Sequence, residues 1–319
     1  MNDFYSVEDL KKYFPIRRGV LSHEVGQVKA VDGVSFDIRE GETLGIAGES
    51  GCGKTTLGRC LIGVLPVTSG NLFFMGQNIN TMRRREFNNI RLNMGMIFQD
   101  PYSSLNPRMT VGDIVGEPLL NFNIARGSEK DKMVAELLTK VGLSKRHIYR
   151  YPHEFSGGQK QRIGIARALA VHPKLIIADE PVAALDVSVR ATILNLMRDL
   201  QTEFNLTYVF ISHDLSVVKH ICDRVMIMYL GKIVEIAETD ELYSRPEHPY
   251  TKALMSAIPI PDPTSKKERI ILPGDVPTPV NLPKGCRFHP RCLEAKQECH
   301  GEEPELIEVR EGHYVACHD

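Results

Sequence analysis

The sequence lacks any apolar stretch long enough to cross a membrane. A spanning helix needs about 20 predominantly apolar residues, and no run in the 319-residue chain approaches that length. The N-terminal stretch MNDFYSVEDLKKYF also lacks the apolar core of a signal peptide. We therefore expect a protein that is not secreted and does not cross a membrane by itself, although it could dock on one.

The sequence has no excess of charge of either sign. Lysine and arginine total 39 and the acidic residues total 40, so the net charge is −1. Because nucleic-acid-binding domains usually carry a basic patch, we expect no nucleic-acid partner. No internal repeat or sustained heptad is present. The apolar fraction of 42% is normal for a globular protein, and the length allows one large domain with an appendage, or two domains.

Strand-like and helix-like segments alternate along most of the chain. ETLGIAG (42–48), NMGMIFQD, PKLIIADEP and LTYVFISHD read as core strands, and amphipathic helices fall between them. This alternation predicts an α/β protein with a mostly parallel sheet. Residues 104–170 are rich in helix and poor in strand, which predicts a helical insertion. Near residue 245 the composition shifts toward proline, so we predict a domain over 1–245. Over 246–319 we predict a proline-rich linker and a small, irregular, cysteine-bearing extension.

The stretch GESGCGKTT (48–56) fits the phosphate-loop pattern G-x-x-x-x-G-K-[ST], and it follows a strand and opens a helix. Glycines let the backbone close around an anion, and the N–H groups at the helix start point toward phosphate. Lys54 should reach the β- and γ-phosphates, and the Thr55 hydroxyl should ligate Mg²⁺. The other predicted nucleotide-binding residues of the loop are Gly48, Ser50, Gly51, Cys52, Gly53 and Thr56.

The stretch LIIADE (175–180) places two carboxylates at the C-terminal end of a buried strand, where open α/β sheets bind ligands. Asp179 should orient Mg²⁺, and Glu180 should polarise an attacking water. Phosphoryl transfer needs both a metal and an oriented nucleophile, so this pair complements the phosphate loop.

The stretch FSGGQKQR (155–162) opens another helix with Ser156, Gly157 and Gly158, which makes a second possible anion-binding helix terminus. Two such termini could bind two phosphate groups in one chain, or each nucleotide could lie between two subunits. The pattern alone leaves both arrangements open.

The motifs GESGCGKT, FQDP, SGGQ, ADEP, ALD and ISHD occur in the order found in the ATPases of ATP-binding cassette (ABC) transporters. The chain resembles that family over residues 1–245. The resemblance implies a P-loop NTPase cassette with a RecA-like parallel core, an antiparallel β subdomain and a helical insertion. It also implies an ATPase in which the signature of one subunit closes on the ATP held by the other.

The resemblance assigns further roles to residues of this sequence. Gln99 would contact Mg²⁺ and sense the transmembrane partner, Glu180 would be the catalytic base, and His213 would contact the γ-phosphate. Asp186 would be the D-loop residue, and Gln159 completes the signature that contacts nucleotide. An aromatic residue near the end of the first strand would stack on adenine, with Phe14 the first choice and Tyr13 the second.

Longer stretches, including YPHEFSGGQKQRIGIARAL and EHPYTKALMSAIP, resemble the F-type ATPase subunit of dipeptide and oligopeptide importers. This resemblance implies a peptide cargo, or nickel as an alternative. Its implied partners are two transmembrane permease subunits, a second and non-identical ATPase in a head-to-tail dimer, and indirectly an extracytoplasmic binding protein. The protein would lie peripherally at the cytoplasmic face of the membrane. The alternative is a non-transport ABC ATPase acting on ribosomes or DNA.

Four cysteines, Cys286, Cys292, Cys299 and Cys317, fall near the C-terminus with five, six and seventeen residues between successive members. A cytosolic location makes disulfides improbable, and the C-x₂₋₄-C knuckle of structural zinc sites is absent. The spacing alone leaves open a [4Fe–4S] cluster, Zn²⁺ (with His289, His300 or His318 as substitute ligands) and unrelated thiols. The resemblance to peptide-importer ATPases with this tail favours a [4Fe–4S] cluster that staples the extension.

Overall fold

The structure, a computed structural model, describes residues 4–19, 23–258 and 269–318. Its strands, in chain order, are β1 (Tyr5–Arg18), β2 (His23–Ile38), β3 (Thr43–Ala47), β4 (Ser69–Phe74), β5 (Gln77–Asn78), β6 (Met94–Ile97), β7 (Leu175–Asp179), β8 (Thr207–Ile211), β9 (Arg224–Tyr229), β10 (Lys232–Glu238), β11 (Ile307–Arg310) and β12 (His313–Val315). Its helices are α1 (Lys54–Leu61), α2 (Arg84–Ile90), α3 (Val111–Asn121), α4 (Gly127–Lys140), α5 (Gly157–Leu169), α6 (Val187–Phe204), α7 (Leu215–Ile221), α8 (Thr239–Ser244) and α9 (Pro249–Ser256).

The chain divides into two compact units, one formed by Met1–Thr81 with Ser212–Asp319 and the other by Met82–Ile211. The first part of the predicted proline-rich linker, residues 259–268, lies outside the described residues. The predicted domain boundary at residue 245 stays a prediction. Among the described residues no helix combines the length and the apolar character that a membrane span requires.

The first unit contains an antiparallel sheet in the order β2-β1-β4-β5 and a second run of strands in the order β11-β12-β10-β9-β3. β3 and β9 are parallel and are buried along their whole length, as expected for strands covered on both faces. This places the C-terminal end of β3, where the phosphate loop begins, beside the C-terminal end of β9.

The C-terminal extension of the first unit adds two strands to the sheet. β12 pairs with β10 in antiparallel register, with Glu235 opposite Val315, and β11 pairs with β12. The sequence predicted an extension without regular structure here and did not anticipate this hairpin. The extension therefore continues the sheet of its unit.

The second unit holds three parallel strands in the order β8-β7-β6. Between Ile97 and Leu175 the chain forms α3, α4 and α5 with short 3₁₀ turns and no strand, where the sequence predicts a helical insertion. The apolar side chains of Val134, Leu137 and Leu138 on α4, and of Val141 just after it, are buried as a set. Their spacing follows the helical period of 3.6 residues, so they form the face of α4 that packs inward.

Candidate functional site

The phosphate loop joins β3 to α1 through backbone conformations that favour glycine. Gly48 and Gly53 have φ values of 146° and 109°. A Cβ atom on Gly48 would lie 2.2 Å from the carbonyl oxygen of Met228, and one on Gly53 would lie 2.1 Å from that of Ala30. The loop is therefore held against β9 and β2 so closely that a side chain at either glycine would displace backbone.

Lys54 is the first residue of α1, and its side chain closes the loop. Its Nζ donates hydrogen bonds to the carbonyl oxygens of Gly48 at 2.7 Å and Glu49 at 2.9 Å, and the residue is buried. Thr55 and Thr56 follow in the first helical turn, and Ser50 and Gly51 lie exposed on the loop. A buried ammonium group beside a helix N-terminus is suited to bind phosphate.

The Cys52 side chain is buried in the same loop, with Sγ 3.7 Å from Lys54 Nζ. Burial raises the pKa of this thiol, so it remains protonated at neutral pH. The Cys52 carbonyl accepts a hydrogen bond of 2.8 Å from the N–H of Gly231. The residue thus contributes its backbone and a packed neutral thiol to the loop.

In the second unit, two adjacent parallel strands bring Gln99 and Glu180 together. Ile97 of β6 is paired with Ala178 of β7, so the segments that follow these strands leave the same edge of the sheet. Gln99 Nε2 donates a hydrogen bond of 2.8 Å to Glu180 Oε2. Asp179, at the end of β7, is almost fully buried at 1% exposure. The amide of Gln99 and the carboxylates of Asp179 and Glu180 therefore lie at the C-terminal ends of two neighbouring strands.

Glu180 has an unusual backbone for a residue with a side chain. Its φ is 46°, and its N–H donates a 2.9 Å hydrogen bond to the Ile211 carbonyl at the end of β8. A non-glycine residue in the left-handed region costs of order 1 kcal/mol or more and persists where the surrounding structure holds it. Here the bond to β8 fixes the direction in which the carboxylate leaves the strand.

The signature segment begins α5 with a capping box. Ser156 Oγ accepts from the N–H of Gln159, and Gln159 Oε1 accepts from the N–H of Ser156 at 3.0 Å. A Cβ atom on Gly158 would lie 2.5 Å from Cγ1 of Val189, so glycine permits α5 to approach α6 closely. Gly157 precedes it in the first turn. Ser156 is exposed, which leaves the start of this helix accessible.

Asp186 is exposed and stands immediately before α6. The preceding loop is held by Arg190, whose Nε donates to the Leu185 carbonyl at 2.7 Å. Val187 beside it is 79% exposed. The side chains of Asp186 and Val187 are therefore both exposed next to a loop that Arg190 holds in place.

The remaining candidates from the sequence lie in the first unit. His213 is exposed between the end of β8 and the start of α7. Phe14 is half-buried on β1, with Lys12 Nζ 4.9 Å from its ring centroid. The hydroxyl of Tyr13 donates a hydrogen bond to Asp32. The roles assigned to His213, Phe14 and Tyr13 stay predictions.

The four C-terminal cysteines, Cys286, Cys292, Cys299 and Cys317, line one small cavity. His289 and His318 line it as well, and the N–H of Cys286 donates a 2.9 Å hydrogen bond to the Cys299 carbonyl. None of these four cysteines forms a disulfide within the described residues. Nowhere in the described residues do three or more His, Cys, Asp or Glu side chains converge closely enough to hold a single metal ion.

Sequence reasoning missed two contacts with the phosphate loop. The guanidinium of Arg291 donates to both carboxylate oxygens of Glu49, at 2.8 and 3.2 Å. The hydroxyl of Tyr250 accepts a 2.8 Å hydrogen bond from the N–H of Glu49. The charge of Glu49 inside GESGCGKT was the available signal, because a carboxylate beside a phosphate site needs a cation.

Comparisons with known proteins agree with this geometry. The ABC transporter family profile matches residues 31–183, and the profile for the C-terminal region of oligopeptide/dipeptide transporters matches residues 234–299. The chain is 55% identical over 315 residues to the oligopeptide transport ATP-binding protein AppF of Bacillus subtilis, covering 98% of this chain and 96% of that protein. It is 50% identical to the dipeptide transport ATP-binding protein DppF of Haemophilus influenzae, covering 97% and 94%.

Solved structures support the same fold. The post-hydrolysis dimer of the ATP-binding cassette MJ0796, bound to ADP and phosphate, has a TM-score of 0.65 and 28% identity over 74% of this chain and 98% of that chain. CbiO1 of Clostridium perfringens has a TM-score of 0.64 and 28% identity over 77% and 92%. The predicted cassette fold is therefore confirmed, and the chain belongs to the ABC transporter family, in the group of oligopeptide and dipeptide transport ATP-binding proteins.

Proposed function

We propose that this protein is the ATP-hydrolysing subunit that powers import of dipeptides or oligopeptides through a membrane ABC transporter. The names of its relatives, which share half or more of its residues over nearly the whole chain, support this assignment. The observation that carries the hydrolytic part is the pairing of Gln99 with Glu180 at the ends of adjacent parallel strands.

In this proposal the phosphate loop binds the triphosphate of ATP. Backbone N–H groups of residues 48–56 and the Lys54 ammonium neutralise the phosphate charge, and Phe14 stacks on the adenine. The hydroxyl of Thr55, the amide oxygen of Gln99 and the carboxylate of Asp179 are oxygen donors of the kind Mg²⁺ prefers, and they would hold it. When bound, Mg²⁺ would neutralise negative charge on the β- and γ-phosphate oxygens.

Glu180 is the proposed general base. Its carboxylate orients a water molecule and accepts a proton from it as the water attacks the γ-phosphorus. The hydrogen bond from Gln99 and the bond from its own N–H to β8 restrict the carboxylate to one direction. His213 contacts the γ-phosphate. Pre-orientation of this kind lowers the barrier because little reorganisation remains at the moment of attack.

The signature segment completes the site of a second subunit. Ser156, Gly157, Gly158 and Gln159 form an accessible helix N-terminus, and Asp186 lies on an exposed loop. We propose that these groups close on ATP held by a second, homologous ATPase in a head-to-tail dimer. The dimer named in the MJ0796 structures supports the arrangement by analogy.

Glu180→Gln tests the base assignment. The variant keeps the shape of the side chain but loses the proton acceptor, so we expect ATP binding to persist while steady-state hydrolysis falls by about 10²-fold or more. Glu136→Gln, on the predicted helical insertion, is the matched control and should hydrolyse ATP normally. Normal hydrolysis by Glu180→Gln would refute the role of Glu180.

We further propose that the four C-terminal cysteines hold a [4Fe–4S] cluster. All four cysteines line one cavity, and four cysteine thiolates are the usual ligands of a [4Fe–4S] cluster. The cluster would stabilise the folded extension, because a ligand that binds only the folded state shifts the folding equilibrium toward that state.

Iron and acid-labile sulfide should therefore be found at about four atoms each per chain after anaerobic purification, with a brown colour. Cys292→Ser should lose most of the iron, whereas Cys222→Ala, which removes a buried thiol elsewhere, should retain it. One zinc ion per chain in a colourless, iron-free sample would establish zinc as the bound metal and overturn the cluster.

Partner and cargo assignments belong to the same proposal. Two permease subunits form the membrane channel, and an extracytoplasmic peptide-binding protein selects cargo, so this chain acts peripherally at the cytoplasmic face. Phe98 and Tyr102, which lie close to Gln99 in the sequence and are partly exposed, suit contact with a permease.

Nickel is the alternative cargo. The balanced charge argues against ribosomes or DNA as partners.

A further inference from the structure

The phosphate loop carries a negative charge of its own. Glu49 lies between Gly48 and Ser50, and its side chain is 28% exposed. A carboxylate at this point would repel the triphosphate that the proposed function places on the loop. Since such repulsion acts at short range and in partly buried surroundings, solvent screens it only in part.

Arg291 neutralises this charge with a two-pronged contact. Its two terminal nitrogens donate to the two carboxylate oxygens of Glu49, and the arginine side chain is 9% exposed. A planar guanidinium matches a carboxylate in this bidentate manner, whereas the ammonium of lysine does not. The contact joins residues 242 positions apart, from the phosphate loop to the cysteine-bearing segment.

The segment that carries Arg291 is fixed on both sides. Phe288 is 1% exposed and contacts Tyr229 and Tyr250, with ring centroids 5.3 Å apart in both pairs. Arg287 donates to the Leu230 carbonyl at 2.5 Å and forms an ion pair with Asp32. Arg291 itself directly precedes Cys292. The position of its guanidinium therefore depends on the fold of this segment.

The main chain of Glu49 is held as well. Its N–H donates to the hydroxyl of Tyr250, and its carbonyl accepts from Lys54 Nζ. The carboxylate, the N–H and the carbonyl of one loop residue are thus all engaged. Two of these three contacts come from residues after 245.

We propose that Arg291 is a positioning residue for the phosphate loop, through which the C-terminal extension sets the affinity for ATP. The proposal rests on the proposed function, because it takes the loop to bind ATP. Arg291 masks the charge of Glu49 and fixes the loop in the shape that receives phosphate. A chain whose cysteine-bearing segment is unfolded would bind ATP weakly even with every motif residue intact.

The experiment compares ATP dissociation constants, measured by titration calorimetry on the full-length protein. Arg291→Ala should weaken ATP binding roughly fivefold to tenfold, because the unmasked carboxylate faces the triphosphate. The loss should shrink at high salt. Arg310→Ala is the matched control: Arg310 also lies in the extension and pairs with Glu241 and Glu247, and its loss should leave the ATP affinity unchanged.

A double-mutant cycle separates charge masking from a general structural effect. In a Glu49→Gln background, Arg291→Ala should weaken ATP binding less than twofold, because no charge remains to be masked. If it weakens binding as much as in the parent protein, or if folded Arg291→Ala binds ATP like the parent, the proposal is wrong. Should Arg291→Ala fail to fold, Arg291→Gln replaces it, because it keeps a polar side chain of similar length but removes the positive charge. An unchanged ATP affinity in folded Arg291→Gln would also refute the role of Arg291.

ATP titrations of the parent protein and of Lys54→Ala separate a failure of the proposed function from a failure of the role of Arg291. Failure of the parent to bind ATP would overturn the proposed function itself. Binding by the parent that is lost in Lys54→Ala but untouched in Arg291→Ala would overturn only the role of Arg291.

Discussion

At the scale of single residues, the phosphate loop depends on glycines for two different reasons. Gly53 has a positive φ and also lies where a Cβ atom would meet the Ala30 carbonyl at 2.1 Å. Gly51 has a φ of 81°, but no atom lies within 4 Å of where its Cβ would be. The first position is constrained by backbone conformation and by a neighbour, and the second by conformation alone.

We therefore expect Gly53→Ala to abolish measurable ATP binding, because the loop must move away from β2 to accommodate the methyl group. Gly51→Ala should destabilise the protein by about 1 kcal/mol and retain most of the ATP affinity. Thermal unfolding and ATP titration of both variants measure the difference. Equal ATP affinities for the two variants would contradict the inference that the nearby Ala30 carbonyl excludes a side chain at position 53.

The sequence predicted some of these residues and not others. Lys54, Asp179 and Glu180 stand in short local motifs whose chemistry needs those residue types, so they could be named without a structure. The pairing of Arg291 with Glu49 joins distant parts of the chain, and neither residue follows a periodic pattern. The charge of Glu49 signals that a cation should lie nearby, but only the folded arrangement of the extension identifies Arg291 as that cation.

At the scale of secondary structure, the hairpin of β11 and β12 is anchored by a buried polar contact. His313 Nε2 donates to Glu235 Oε1 at 2.7 Å, and both side chains are fully buried. Glu235 also accepts hydrogen bonds from the N–H groups of Glu247 and His248. One carboxylate thus ties β10, β12 and the start of α9 together.

Removal of His313 should loosen this junction. We expect His313→Ala to lower the free energy of unfolding by about 2–3 kcal/mol, because a buried carboxylate loses a charge-assisted partner. Glu311→Ala, in the exposed turn between β11 and β12, is the control and should change stability by less than about 0.5 kcal/mol. Urea denaturation gives both values, and equal stabilities would contradict a structural role for the His313 contact.

The buried strands were predictable because each is a short apolar run followed by a motif-bearing turn, as in β7 and β8. β12 has only three residues and follows a proline-rich region, so no local signal marks it. Its conformation is decided by pairing with β10, a tertiary effect that local propensity does not contain.

At the scale of the whole molecule, the proposed function predicts a specific assembly. When expressed with its transporter partners, the protein should co-purify with two polytopic membrane proteins and a non-identical ATPase, in equal amounts of the two ATPases. Native mass spectrometry of the detergent-solubilised complex gives these ratios. Stable sedimentation with ribosomes instead would favour the non-transport alternative.

Family membership followed from ordered motifs that the relatives confirm. The choice between peptide and nickel could not be made from this chain, because the proposed cargo contacts belong to other subunits. A single sequence identifies only those side chains that the chain itself contributes to a site.

The C-terminal hairpin also protects a sheet edge. Without β12, the backbone N–H and C=O groups on one side of β10 would be an open template for pairing with another chain. With the hairpin in place the outermost strand is β11, which is four residues long and carries Glu308 and Arg310, features that discourage edge-to-edge association. A chain cut short before residue 307 would therefore be prone to aggregate through β10, so solubility and colloidal behaviour depend on the same extension that reaches the phosphate loop.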